Sequence, residues 1–182
     1  MINVLKSKKK VNYANKGMRL ESDIESTNQY YLNANIACIH KKPTPIQIVK
    51  VEFPARNKAK IVEAYYRTPS TTDYNGLYLG RYIDFDVKEC SSKTSFPLKN
   101  IPKHQMDHLT RVYKMGGIAF LIIAFSQFNK YYLVPIQEIN EYIVKNERNS
   151  LPYLFFTEKC YEIKFSLNPR LDYLKIVREY LF

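Results

Sequence analysis

The chain has 182 residues, enough for one domain whose core buries about two-thirds of the unfolded surface and too few for two ordinary domains. Lys and Arg number 28 against 17 Asp and Glu, a formal net charge of +11 on a chain that is 46% apolar, so a polyanionic partner is expected, nucleic acid ahead of an acidic membrane surface. Five glycines write neither a Walker A loop nor a dinucleotide GxGxxG, no GxSxG elbow occurs, and the longest apolar stretch, residues 116–125, falls far short of the roughly 18 residues that a membrane span requires.

The N-terminus MINVLKSKKK lacks the apolar segment of a signal peptide, and the expected location is the cytoplasm. Residues 1–14, with Lys6, Lys8, Lys9 and Lys10, read as a flexible basic arm. From about 17 to 33, Leu20, Ile24, Thr27 and Tyr31 fall on one face at helical spacing, with Glu21 beside the stripe, which predicts an amphipathic helix. Segments 36–40, 46–53 and 60–67 are rich in β-branched and aromatic residues and separated by Pro43, Pro45, Pro54 and Asn57, the pattern of strands joined by turns. The same region carries Lys41, Lys42, Lys50, Arg56, Lys58 and Lys60 against Glu52. Two readings stand: a solvated face, or a hairpin pressed against phosphates.

After the turn-prone TPSTTDYNG, residues 81–89 alternate, sending Ile83, Phe85 and Val87 to one side of a strand and Asp84, Asp86 and Lys88 to the other. Pro102 opens a predicted helix to about Lys114, closed by Gly116-Gly117, and 118–125 reads as a strand covered on both faces. A helix is predicted over about 135–144, strands or extended segments at 153–156 and 161–165, and a terminal helix at 172–180. Cys38, Cys90 and Cys160 are odd in number, widely spaced and without a CxxC pair, so they are expected to be reduced, with Cys90 a packing residue.

The chemistry concentrates at Asp84-x-Asp86-x-Lys88, with Asp73 just upstream. Hard carboxylate oxygens at this density attract Mg²⁺ or Mn²⁺, which activates water and neutralises phosphoryl charge, while a lysine one pleat on can steady a developing oxyanion. The competing reading is the wet face of a half-buried strand. His104-Gln105-x-x-His108 has the spacing of a zinc-binding H-E-x-x-H helix, but an amide cannot replace the glutamate as general base, so both histidines read as helix-surface or phosphate-facing groups.

The stretches NKGMRLESDIESTNQYY, IHKKPTPIQIV, EAYYRTPSTTDYNGLYLGRYIDFDVKE, KTSFPLKNIPKHQ, GIAFLIIAF and PRLDYLKI, in this order, closely resemble the RecU family of bacterial Holliday junction resolvases over nearly all of residues 15–178. The resemblance implies a restriction-endonuclease-like, PD-(D/E)xK fold: an α/β domain over 15–182, its mixed central sheet flanked by helices and interrupted at about 41–66 by a basic hairpin stalk. It implies that Thr71, Asp73, Asp86 and Gln105 bind magnesium and that Asp73 and Asp86 serve catalysis with Lys88 as transition-state stabiliser; Glu21, which matches a glutamate frequent in the family, and Asp84, from the strand pattern, are candidate accessory acids. Glu21 reads equally as an ordinary exposed helix acid. The family commonly has Glu where this chain has Asp86, one methylene or about 1.5 Å shorter.

The implied stalk enters the open centre of a four-way DNA junction. Lys41, Arg56 and Tyr66 match DNA-facing positions, Lys42 and Lys58 lie on the same hairpin, and Lys16 is implied to touch backbone. The expected activity is a magnesium-dependent, structure-selective endonuclease making symmetric nicks in recombination and repair, working as a homodimer because one chain carries one set of ligands and resolution needs two cuts. A restriction-like nuclease acting on ordinary duplex and a catalytically silent junction-binding protein of the same fold are the alternatives.

Overall fold

The alternating segment around Asp86 forms an inner strand of a mixed sheet. The computed structural model describes residues 14–67, 69 and 71–182, with side chains from residue 19 onward. In chain order the elements are α1 (Ala14–Asn33), β1 (Cys38–Lys41), β2 (Ile46–Ala55), β3 (Lys58–Tyr66), β4 (Tyr74–Tyr78), β5 (Arg81–Cys90), β6 (Ser95–Pro97), a 3-10 turn (Leu98–Asn100), α2 (Lys103–Lys114), β7 (Ile118–Phe125), β8 (Lys130–Pro135), α3 (Ile136–Lys145), β9 (Ser150–Pro152), α4 (Tyr153–Lys159), β10 (Tyr161–Ile163) and α5 (Tyr173–Tyr180). Residues 1–13 of the expected basic arm, and the side chain of Lys16, lie outside the described residues. Among the described residues no helix is long and apolar enough to cross a membrane.

Six strands form the main sheet in the order β1-β4-β5-β7-β8-β10. Its one parallel pairing, β5 with β7, runs from Ile83 beside Ile118 to Cys90 beside Phe125. Parallel neighbours need a crossover, and the chain makes it through β6, the 3-10 turn and α2. That crossover lays α2 over the face of β5 that carries the acids.

The alternation predicted for β5 sorts the molecule into two apolar layers. Ile83, Phe85 and Val87 pack with Leu20, Ile24 and Tyr31 of α1 and with Tyr173, Leu174 and Val177 of α5. On the opposite side, Ala119, Leu121 and Ile123 of β7 meet Leu109 of α2, Ile136 and Ile139 of α3, and Phe155 and Phe156 of α4. In the first layer the rings of Tyr74, Phe85 and Phe120 stack across β4, β5 and β7 at 5.0 and 4.9 Å. Tyr173 leans on Phe85 from α5 at 5.1 Å, so the strand bearing the acids is fixed from behind.

Several elements differ from the sequence expectation. β4 occupies part of the stretch read as a turn: Asn75-Gly76 looks like a turn dipeptide, yet it is paired on both sides, Gly76 with Ile39 of β1 and with Ile83 of β5. Residues 153–156, read as extended, begin α4, because Phe155 and Phe156 are buried in the second layer and packing overrides the local preference of an aromatic run. β8 and the short β6–β9 pair were not expected at all. The three described cysteines are free thiols, and Cys90 is buried, its thiol pushed up by burial.

β2 and β3 form a separate two-stranded ribbon, exposed along almost its whole length. Ala55 pairs with Lys58, so Arg56-Asn57 is the tip. At about 3.3 Å per residue the ten-residue β2 carries that tip roughly 30 Å from its root.

Gly76 is where the edge of the sheet is most exposed to substitution. A Cβ there would lie 2.1 Å from the carbonyl oxygen of Cys38, a backbone atom that cannot step aside. Gly76→Ala should therefore lower unfolding free energy by about 2 kcal/mol and loosen β1 selectively. Hydrogen exchange would show β1 amides losing protection while those of β7 keep theirs; unchanged β1 protection would contradict the close packing.

Candidate active site

Asp84 and Asp86 are both 0% exposed, which excludes the wet-face reading of β5. A buried carboxylate is tolerated only where donors surround it, and the two acids are served very differently.

Asp86 has two side-chain donors. Lys88 Nζ reaches Oδ1 at 2.7 Å and Gln105 Nε2, from the covering α2, reaches Oδ2 at 2.5 Å. Burial raises its pKa above the usual carboxylate range, Lys88 draws it back down, and the charge of Asp73 adds to the rise. Asp73 lies immediately before β4, half-buried, with Thr71 two residues upstream. The Gln105 side-chain oxygen is buried without a hydrogen-bond partner. A carboxylate held against its preference by a second acid, next to an orphaned amide oxygen, suits a hard divalent cation. The residues able to hold one are Asp73, Asp86, Gln105 and Thr71. Among the described residues no group of three or more His, Cys, Asp and Glu converges as a metal cluster, so the neutral oxygens of Gln105 and Thr71 would complete the set.

Asp84 has four donors. Tyr82 O–H donates to Oδ2 at 2.7 Å, His108 Nε2 at 2.9 Å and Lys42 Nζ at 3.0 Å, while Thr72 Oγ1 donates to Oδ1. His108 is thus neither a helix-surface nor a phosphate-facing group, as the sequence suggested; it turns inward because Asp84 lies beneath the same face of α2 that carries Gln105. His104 is half-buried, with no such partner.

The basic residues separate into three groups. Lys41 is clasped by Glu21 and Glu25 of α1, each at 2.8 Å, and these bonds raise its pKa. Glu21 also lines the cleft shared by Lys41, Lys42, Thr71 and Asp73. Lys42 points inward to Thr72 and Asp84. Arg56 and Lys58 stand exposed at the ribbon's tip, and Tyr66, at its root, is 85% exposed. The structure therefore gathers Asp73, Asp86, Lys88 and Gln105, and leaves Arg56 and Lys58 far from them.

Sequence reasoning missed Thr72, Tyr82, Glu25 and the inward role of His108. Tyr82 carried a signal, lying two residues before Asp84 on the same strand face, and His108 another, three residues after Gln105 on one helix face. Nothing in the sequence marked Thr72.

The sequence model of the Recombination protein U family matches residues 15–179. A protein of Leuconostoc mesenteroides subsp. mesenteroides named Holliday junction resolvase RecU is 50% identical over 177 residues, covering 97% of this chain and 87% of that one. Its namesake from Staphylococcus epidermidis is 49% identical over 170 residues, covering 92% of this chain and 82% of that one. A solved Holliday junction resolvase from Archaeoglobus fulgidus aligns at 12% identity and a TM-score of 0.45, over 78% of this chain and 92% of that one.

Titrating Mn²⁺ or Mg²⁺ into the protein should raise its melting temperature, by an amount equivalent to about 2.7 kcal/mol when the ion stands a hundredfold above its Kd. Asp73→Asn and Asp86→Asn should each flatten that response. A mutant that is stabilised as much as the wild type would remove that residue from the ligand set.

Proposed function

The chain belongs to the RecU family, and we propose that it is a magnesium-dependent Holliday junction resolvase that hydrolyses phosphodiester bonds by paired nicks across a four-way DNA junction. The observation that carries the reading is the arrangement at Asp86: a buried carboxylate with a raised pKa, flanked by Lys88 and Gln105 and within electrostatic reach of Asp73.

Thr71, Asp73, Asp86 and Gln105 would hold the ion, which when bound supplies charge neutralisation at the phosphate and a more acidic water. The protein's own contribution is positional. Lys88, with only 20% of its side chain exposed, has its ammonium fixed against Asp86, so it can face a phosphate oxygen without a conformational search. The shorter Asp86 is met by α2, whose Gln105 reaches it directly. Charge and ligand type are those of the commoner glutamate.

DNA engagement would fall to the ribbon. Arg56 and Lys58 at its tip, with Lys50 and Lys60 along it, supply phosphate contacts, and the exposed Tyr66 offers a ring for an unstacked base at the junction centre. A two-fold homodimer follows from the substrate: a four-way junction has approximate two-fold symmetry, and a closed isologous pair sets two sites on equivalent strands.

A synthetic four-way junction and a matched duplex, each with and without Mg²⁺, test the proposal. The junction should be nicked on two opposed strands only with the ion, and the duplex spared. Equal cutting of both would identify a restriction-like nuclease, and binding without cutting a silent junction-binding protein. Lys88→Ala should slow cleavage by about 2–4 kcal/mol of transition-state stabilisation, by analogy with the loss of an oxyanion donor, and leave ion binding intact.

Arg56→Ala should weaken junction binding and reduce the slope of log affinity against log salt by about one. An unchanged slope would make the tip a solvated face. Dimers mixing wild-type and Asp73→Asn chains should nick one strand without resolving; full resolution by the mixed species would refute the two-fold arrangement.

A further inference from the structure

We propose that Lys42 is a positioning residue that ties the root of the β2–β3 ribbon to the metal-ligating loop, so that what the ribbon engages is registered at Asp73 and Thr71. The inference rests on the nuclease reading of the site and goes beyond it by assigning a residue outside the ligand set.

Lys42 ends β1's pairing and opens the Pro43-Thr44-Pro45 connection into β2, whose prolines leave little backbone freedom. Its backbone N–H donates to the carbonyl of Asp73 at 2.7 Å. Its ammonium donates to Thr72 Oγ1 and to Asp84 Oδ2, each at 3.0 Å. One residue thus grips three points: the main chain of Asp73, the side chain of Thr72 between Thr71 and Asp73, and the fully buried Asp84. Thr72 is itself 2% exposed and donates to the other Asp84 oxygen, which closes the ring of contacts.

The ribbon's second strand is tied to the same root. Arg67 N–H donates to the Pro45 carbonyl at 2.9 Å and its Nε to Gln47 Oε1 at 3.2 Å, which locks the two strands together at their root. Arg67 precedes Thr71 by four residues. A displacement at the root therefore reaches the ligand loop through Lys42, which with Thr72 holds that loop to Asp84 of β5. Tyr82 and His108 complete the Asp84 donor set from β5 and α2, so the strand bearing Asp86 and the helix bearing Gln105 share the anchor.

A phosphate contact is the competing role for a lysine at this place, and the two separate cleanly. Lys42→Met keeps the aliphatic stem and removes the ammonium; Thr72→Val keeps shape and charge and removes the hydroxyl link. For folded variants with cooperative melting, both should bind the junction within threefold of wild type and with the same salt slope. Both should bind Mn²⁺ at least tenfold more weakly by direct titration and cut at least thirtyfold more slowly at saturating junction. Replacing residues 51–62 by Asn-Gly, which shortens the ribbon in register, should slow saturated cleavage in the wild-type background. In the Lys42→Met background the same shortening should cost less than a further threefold, because the connection is already broken.

Wild-type Mn²⁺ affinity and cleavage rate in Lys42→Met would overturn the proposal. So would weakened junction binding with a salt slope lower by one, which would mark a phosphate contact, or fully multiplicative effects of the lysine and ribbon changes. A wild-type protein that binds Mn²⁺ through a Lys42-dependent site but cuts no junction would sink the nuclease reading while leaving the positioning role standing.

Discussion

Two carboxylates without solvent, two residues apart on one strand face, set the terms for everything around them. Removing an ionised carboxylate from water is costly unless charge and hydrogen bonds replace the hydration, and β5 asks for that replacement twice. The surrounding structure answers asymmetrically. Asp84 receives an ammonium, two hydroxyls and an imidazole, a complete set for its two oxygens. Asp86 receives one ammonium and one amide from side chains, with the backbone N–H of Val87 beside them, and faces the charge of Asp73. The satisfied acid is an anchor; the under-served one is the acid to which the proposed function assigns a cation. Neighbours on the same strand, of the same chemical type, are thereby given different work by their donors alone.

The asymmetry is held in place by packing on the far side of the sheet. The stacked rings of Tyr74, Phe85 and Phe120 belong to the strand that follows Asp73, the strand that carries Asp86, and its parallel neighbour. Sliding β4 against β5 would break these stacks and move Asp73 relative to Asp86. A close-packed layer that tolerates little displacement keeps the two like charges of Asp73 and Asp86 near one another. The parallel β5–β7 pairing contributes equally, since the crossover it requires is what brings Gln105 and His108 onto the acidic face.

The sequence made much of this legible. The alternation of β5, the apolar stripe of α1 and the run of β7 were readable from periodicity, because each reports which side chains face a core. Asp73, Asp86 and Lys88 stood out from their own spacing and Gln105 through the resemblance of its surrounding stretch, and the structure brings these four side chains into one neighbourhood. What periodicity could not give was depth. Asp84-x-Asp86-x-Lys88 is the pattern of a wet strand face, and only the placement of α2 makes it a dry one. β4 was hidden by Asn75-Gly76, a turn signal that pairing on both edges overrides, and α4 by an aromatic run whose burial decides its conformation. Lys42 looked like its neighbour Lys41. The difference between them arises where β1 ends, with consecutive side chains meeting different surroundings, the acids of α1 for Lys41 and Asp84 for Lys42.

The distribution of charge follows the same logic. The cations nearest the site are already matched: Lys41 with Glu21 and Glu25, Lys42 with Asp84, Lys88 with Asp86. Among the described residues Arg56, Lys58 and Lys60, at or near the ribbon's tip, make no ion pair. The Debye length at physiological salt is about 8 Å, while the tip stands roughly 30 Å from its root, so charge at the tip is screened long before it reaches Asp86. Attraction for a polyanion and the proton affinity of the buried acid are consequently set by separate groups. Influence of the ribbon on the site has to travel through covalent and hydrogen-bonded connections at the root, and there the backbone and ammonium of Lys42 meet Asp73, Thr72 and Asp84.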